Sequence, residues 1–419
     1  MPEAGAIKAP KKQIHLEALR GLAAWVVVAT HFAMAFYPAA AFGSAYRAHG
    51  DGERLFITTP LGLLLAGQSA VCLFFVLSGY VLSLSFFGPG AKDTRSLLAA
   101  AVKRPVRLGG LVLFSEVIAV GLLASGGLFN VPVAQATFSM PWLQNLWPAD
   151  MVNARHIAGD LLLRPFAAGE RYNSPLWTIE TELYGSFVTF GFLLLFRQSR
   201  LRWIGYAVAL VYFRGTFYQG FIIGILLADG SRNFFPGLKS GRGVRLAWLV
   251  LAVGLYLASW PAYVPRSDLA GTIYAVLPKI TFLRGEYSLI GATLIFMAVL
   301  LSPALRAILA QRWFAFCGRI SYAVYALHFL LLGSFGCWLF LQLNGRFGYD
   351  AACLLTGLVL MPVLLVAAYL ATVWVDEPAT RAANGVARIW LESTRPRAER
   401  SQQSPRHKVA GEAADSRPS

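Results

Sequence analysis

Arg20 and His31 are the residues whose types and spacing point most directly to chemistry. They stand eleven residues apart in a stretch that is otherwise mostly apolar, and eleven helical steps of 100° make three turns plus about 20°. A helix therefore places both side chains on one face, roughly 16 Å apart along its axis. A guanidinium suits a phosphate-bearing ligand, because its planar fork makes paired, charge-assisted hydrogen bonds. A neutral imidazole takes a proton near neutral pH and so can serve as a general base. The plainer reading of the same pair is an arginine that anchors a helix end and a histidine that bonds a neighbouring helix.

Other ionisable side chains also fall inside apolar stretches: Glu116, Glu182, Arg214 and His328. Each costs about 2.5–3.5 kcal/mol to insert into hydrocarbon, so each is a candidate for function. Arg104 and Arg107 are three residues apart and neighbours on one helix face. Tyr322, Tyr325 and His328 repeat every three residues and share a face in the same way. Ser78-Gly79 offers a small surface for close helix approach or for a thin ligand arm. The four cysteines, Cys72, Cys317, Cys337 and Cys353, match no zinc spacing, and no metal site is expected.

The elements that must position these groups follow from composition. Of 419 residues, 57% are hydrophobic and 14% charged. A soluble globular chain carries roughly 45–50% apolar and about 25% charged residues, so a water-soluble body is excluded. The apolar residues gather in ten blocks, at about 21–38, 61–87, 108–127, 175–196, 203–213, 215–228, 246–262, 287–304, 320–342 and 351–375. Taken as spans, they predict an all-α polytopic membrane protein with about ten transmembrane helices. The net charge of +16 lies mostly between blocks. Positive-inside placement explains it better than nucleic-acid binding, and it puts both termini in the cytoplasm. Blocks 203–213 and 215–228 are short for about 30 Å of hydrocarbon and read as two short or tilted helices. The loop 128–174 carries Trp142, Trp147, Asp150, His156 and Asp160, which either line a sugar site or form an interfacial aromatic belt. The expected organisation is a cytoplasmic segment 1–15, a membrane domain 16–378 and a disordered basic cytoplasmic tail 379–419. Richness in Ala and Arg suits a bacterial inner membrane.

Several stretches resemble, in order along the chain, the motifs of the acyltransferase-3 family of membrane O-acyltransferases. They are His15-Leu16-Glu17-Ala18-Leu19-Arg20-Gly21 ending in His31, then Phe74-Phe75-Val76-Leu77-Ser78-Gly79-Tyr80, then the pair Arg104 and Arg107. Trp177-Thr178-Ile179 with Glu182 follows, then Gly318-Arg319-Ile320-Ser321-Tyr322 with Tyr325 and His328, and last Glu377-Pro378. Where a Pro commonly follows the arginine pair, this chain has Gly109-Gly110. The resemblance implies acyl-CoA, most simply acetyl-CoA, as co-substrate, with no permanently bound cofactor. It implies a carbohydrate or other hydroxylated acceptor and residence in a lipid bilayer. It further implies that Arg20, Arg104 and Arg107 hold the donor's phosphates. His31 would be the general base, or else carry the acyl group. Glu182 would position it, receive a proton or bind the acceptor, its plainer reading being a buried pair with an arginine of another helix. Ser78, Trp177, Tyr322 and His328 would line the site. From another class, a transporter or channel for an anionic solute would use the same arginines as selectivity charges. The lack of a visible internal repeat weighs against it.

Overall fold

Crossing about 30 Å of hydrocarbon at 1.5 Å per residue takes about twenty helical residues. In the computed structural model, six helices are that long and apolar enough. The structure describes residues 13–395 apart from 141, 149–150, 152–156, 168–171, 235–240 and 281–284, and side chains are not described at 234 and 241–244. The six are α1 (Ile14–Phe36), α2 (Gly67–Phe86), α3 (Thr94–Ala124), α4 (Ser174–Phe196) and, after five shorter helices, two long ones. The shorter helices are α5 (Arg202–Tyr212), α6 (Tyr218–Asp229), α7 (Gly241–Ala258) and α8 (Tyr287–Leu301). A further short helix, α9 (Pro303–Leu309), bends 100° away from α8. The closing pair of long helices is α10 (Arg312–Phe347) and α11 (Tyr349–Ser393).

The count of about ten spans is therefore corrected to six among the described residues, or seven if the bent pair α8–α9 is one span. Hydropathy counts apolar residues, whereas crossing requires unbroken length. The eleven residues of α5 and the twelve of α6 rise only about 16–18 Å. A turn at 213–217 separates them. The apolar part of α7, Arg245–Ala258, is likewise short. With six or seven spans the two termini are no longer fixed to one side, so the cytoplasmic placement of both falls with the count. A second correction concerns the tail. The last span runs on to Ser393, so 379–393 is helical, not disordered. Residues 396–419 lie outside the described residues.

Local sequence sets several of these boundaries. Asp93 caps α3, its carboxylate accepting from the Ser96 backbone N–H at 2.9 Å, and hydrogen bonds from the Ser96 hydroxyl and this N–H hold the carboxyl below its ordinary range. Helices α1 and α10 run parallel: Gly21 meets Cys317 and Gly318, and ten residues further along each helix His31 meets His328. Ala24 and Val28 fill this seam against Ile320, Ala323, Val324 and Leu327. The helices approach this closely because both crossing residues lack a Cβ. One added at Gly21 would lie 2.5 Å from the Cys317 carbonyl carbon, and one at Gly318 would strike the Glu17 backbone. Backbone cannot swing aside as a flexible side chain does. Gly318→Val is therefore expected to destabilise the protein by about 1–3 kcal/mol, visible as a lower thermal midpoint in detergent. An unchanged midpoint would mean the crossing is looser than the structure has it.

Candidate active site

All six long helices contribute to one cavity of about 560 Å³. Its ends differ in character. One is charged, with Glu17 and Arg20 from α1, Arg104 and Arg107 from α3, Glu182 from α4, Arg319 from α10, and Asp376, Glu377 and Arg381 from α11. The other is apolar and aromatic, with Val71, Phe74 and Phe75 from α2, Thr178 from α4 and Tyr325 from α10. Helix register makes this polarity. Along α2, Ser78 is about two turns beyond Val71, and along α10, Tyr325 is two turns beyond Gly318.

The charged end is a set of paired ions. Arg104 bonds the Glu182 carboxylate, and its Nε donates to Ser186 Oγ at 2.8 Å. Arg20 donates to Ser78 Oγ at 3.0 Å, and Ser78 donates to the same Glu182 oxygen at 2.7 Å. Arg107 bonds Asp376 at 2.6 Å with its guanidinium 5.6 Å from the centre of the Tyr322 ring. Tyr322 donates to the Leu108 carbonyl at 2.8 Å. Arg319 bonds Glu377 at 2.6 Å. Five guanidiniums thus share the cavity with four carboxylates. Pairing is what lets Arg104 and Glu182 lie largely out of water, because a buried ion without a partner costs several kcal/mol, while Arg319 and Arg381 are exposed.

His31 lies beyond the apolar end. Its Nδ1 is 2.9 Å from Nε2 of His328. Trp142 lies near-parallel to the imidazole with centroids 6.3 Å apart, and Phe329 meets it edge-on at 4.9 Å. Tyr325, one turn before His328 on α10, bonds Thr178 Oγ1 and the Pro175 carbonyl at 2.9 Å each. It stands between the cavity and the two histidines.

The structure brings Arg20, Ser78, Arg104, Arg107, Glu182 and Tyr322 together in one cavity, and it joins His31 to His328. Glu182 is not beside His31; its partners are arginine and serine at the charged end. Trp177 is not in the cavity wall but packs on Phe217, with ring centroids 5.1 Å apart. Of the loop residues, Trp142 reaches His31, while Trp147 packs in the core and donates to the Tyr172 carbonyl. Asp150 and His156 lie outside the described residues. Glu116 is buried in α3, and Arg214 is in the exposed turn between α5 and α6. Sequence reasoning passed over Asp376, although it adjoins Glu377-Pro378, and passed over Phe329 beside the histidine pair.

A family model described as an acyltransferase domain matches residues 14–376. An acyltransferase of Cochliobolus lunatus is 28% identical over 348 residues, covering 71% of this chain and 74% of that protein. An acyltransferase of a Phoma species is 26% identical over 352 residues, with the same coverage of 71% and 74%. An O-acetyltransferase of Phomopsis amygdali is 26% identical over 376 residues, covering 78% of this chain and 74% of that protein. No solved structure matches the chain. The family match takes in the charged cavity up to Asp376, both histidines and most of the helical length that crosses the membrane, and the chain belongs to the acyltransferase-3 family of multi-pass membrane acyltransferases.

Proposed function

We propose that the cavity holds an acyl-CoA, most simply acetyl-CoA, and that His31 takes the proton from an acceptor hydroxyl as it attacks the thioester. The observation that carries this reading is the cavity's polarity: paired guanidiniums at one end and an apolar passage at the other, with His31 beyond it. Arg20, Arg104 and Arg107 hold the donor's phosphates. Arg20 uses one of its five N–H groups on Ser78, which leaves donors for an anionic ligand. Glu182 and Asp376 keep the guanidiniums oriented while the site is empty, so binding does not have to order them. The acyl-bearing arm runs past Phe74, Thr178 and Tyr325 to His31. There the acceptor oxygen bonds the carbonyl carbon, its proton passes to the imidazole, and the C–S bond breaks. The departing sulfur recovers that proton as the free thiol.

The acceptor we favour is a carbohydrate or another hydroxylated molecule, and the ester formed is an O-acyl one. The relative from Phomopsis amygdali, an O-acetyltransferase by name, supports acetyl as the group moved. The test is release of free CoA thiol by purified protein given acetyl-CoA and a panel of hydroxylated acceptors. Arg107→Ala is expected to raise the KM for acyl-CoA tenfold to over a hundredfold, since a charge-assisted hydrogen bond is worth about 1.5–3 kcal/mol. The KM for acceptor should stay within about threefold. An unchanged donor KM in both Arg104→Ala and Arg107→Ala would remove the phosphate-binding role.

A further inference from the structure

The two histidines meet through one nitrogen each, yet they are not equivalent. Nδ1 of His328 lies 2.8 Å from the Tyr325 carbonyl oxygen and 3.1 Å from that of Val324. A carbonyl only accepts, so this Nδ1 carries the hydrogen and Nε2 of His328 carries the lone pair. His31 Nδ1, 2.9 Å from that lone pair, is then the donor. A neutral imidazole has one N–H, so Nε2 of His31 is the basic nitrogen. No described residue hydrogen-bonds it.

We infer that His328 is the positioning residue of the reaction. The hydrogen bond that its Nδ1–H donates to the helix backbone fixes which nitrogen of His31 is basic and which way that nitrogen points. Both nitrogens of His328 are engaged, one with backbone and one with His31, so it has none left for an acceptor hydroxyl. The asymmetry assigns the base to α1 and the support to α10. The same arrangement serves the charged state. When His31 Nε2 takes a proton, its Nδ1–H still points at a neutral acceptor, and the ring need not turn. Trp142 and Phe329 wall the imidazole, so its orientation is left to the hydrogen bond. The logic is that of a histidine held in one tautomer by a third group, with a backbone-anchored imidazole in place of a carboxylate.

This inference rests on His31 being the base, and two variants separate the two ideas. In His328→Gln the side-chain oxygen can reach about where Nε2 stood and accept from His31. In His328→Phe the ring volume stays and the acceptor is lost. We expect His328→Gln to keep kcat within about tenfold of wild type. His328→Phe should lower it at least about a hundredfold, and the KM for acyl-CoA should be unchanged in both. A packing role gives the opposite order. Wild-type kcat in His328→Phe, or equal losses in the two variants, overturns the positioning role. Wild-type activity in His31→Gln refutes the base reading itself. An inactive His31→Gln beside an active His328→Phe refutes only the role of His328. A measurement on the unmutated protein guards against a variant that does not fold. In the ring ¹⁵N spectrum of histidine-labelled protein, with His31 assigned by its loss in His31→Gln, Nδ1 should be protonated and Nε2 bare. The reversed tautomer overturns the inference.

Discussion

In His31→Gln, acyl transfer is expected to fall at least about a hundredfold while the protein still inserts, purifies and binds acyl-CoA. Glutamine keeps a hydrogen-bonding side chain of similar reach but cannot take the proton. It can still donate to His328, so a purely structural histidine would survive the exchange. General bases contribute about 10²–10⁴-fold, which sets the size of the loss. The wild-type rate should also drop on acidification, because a protonated imidazole has no lone pair for the acceptor's proton. Near-normal transfer by His31→Gln would leave the reaction without a base in this site.

Glu182→Ala should be the most damaging change at the charged end, for a different reason. Its carboxylate takes hydrogen bonds from Arg104 and Ser78, and through Ser78 it supports Arg20. Glu182 and Arg104 are each only 14% exposed, so removing the acid leaves a guanidinium largely out of water without its counter-charge. Breaking a buried pair from one side costs about 3–5 kcal/mol. We expect a large drop in thermal midpoint and a raised donor KM. Glu182→Gln, which keeps the hydrogen bonds and loses the charge, should fall between Ala and wild type. A catalytic carboxylate would behave otherwise. Full stability with kcat lost in both variants would return Glu182 to the chemical step.

The face shared by Arg20 and His31 was legible because spacing within one helix is arithmetic. What spacing does not carry is the partner on the next helix. Arg104 and Arg107 read as cations for a ligand, whereas each of them, like Arg319, has a carboxylate from a distant part of the chain. Asp376 was hidden by geometry as well as distance. It ends a wide turn with π-type bonding at Thr372–Asp376, and such a turn shifts the phase of every following side chain. A second turn of this kind, Leu332–Gly336, interrupts α10 just past His328. The resemblance assigned Glu182 to assist His31 and Trp177 to line the site, and these two share a motif with each other. Sharing a motif does not place residues at the same depth, and α4 carries Glu182 to the charged end and Trp177 to Phe217. The span count erred because α5, α6 and α7 are apolar enough for a membrane but too short to cross it alone.

The proposed function divides the labour, with the charged cavity binding the donor and His31 doing the chemistry. Equilibrium binding of a non-cleavable thioether analogue of acyl-CoA tests it most directly, because no reaction follows to blur affinity with rate. The affinity should be unchanged in His31→Gln and weakened at least about tenfold in Arg107→Ala. Weakened binding in His31→Gln with wild-type binding in Arg107→Ala would overturn that division.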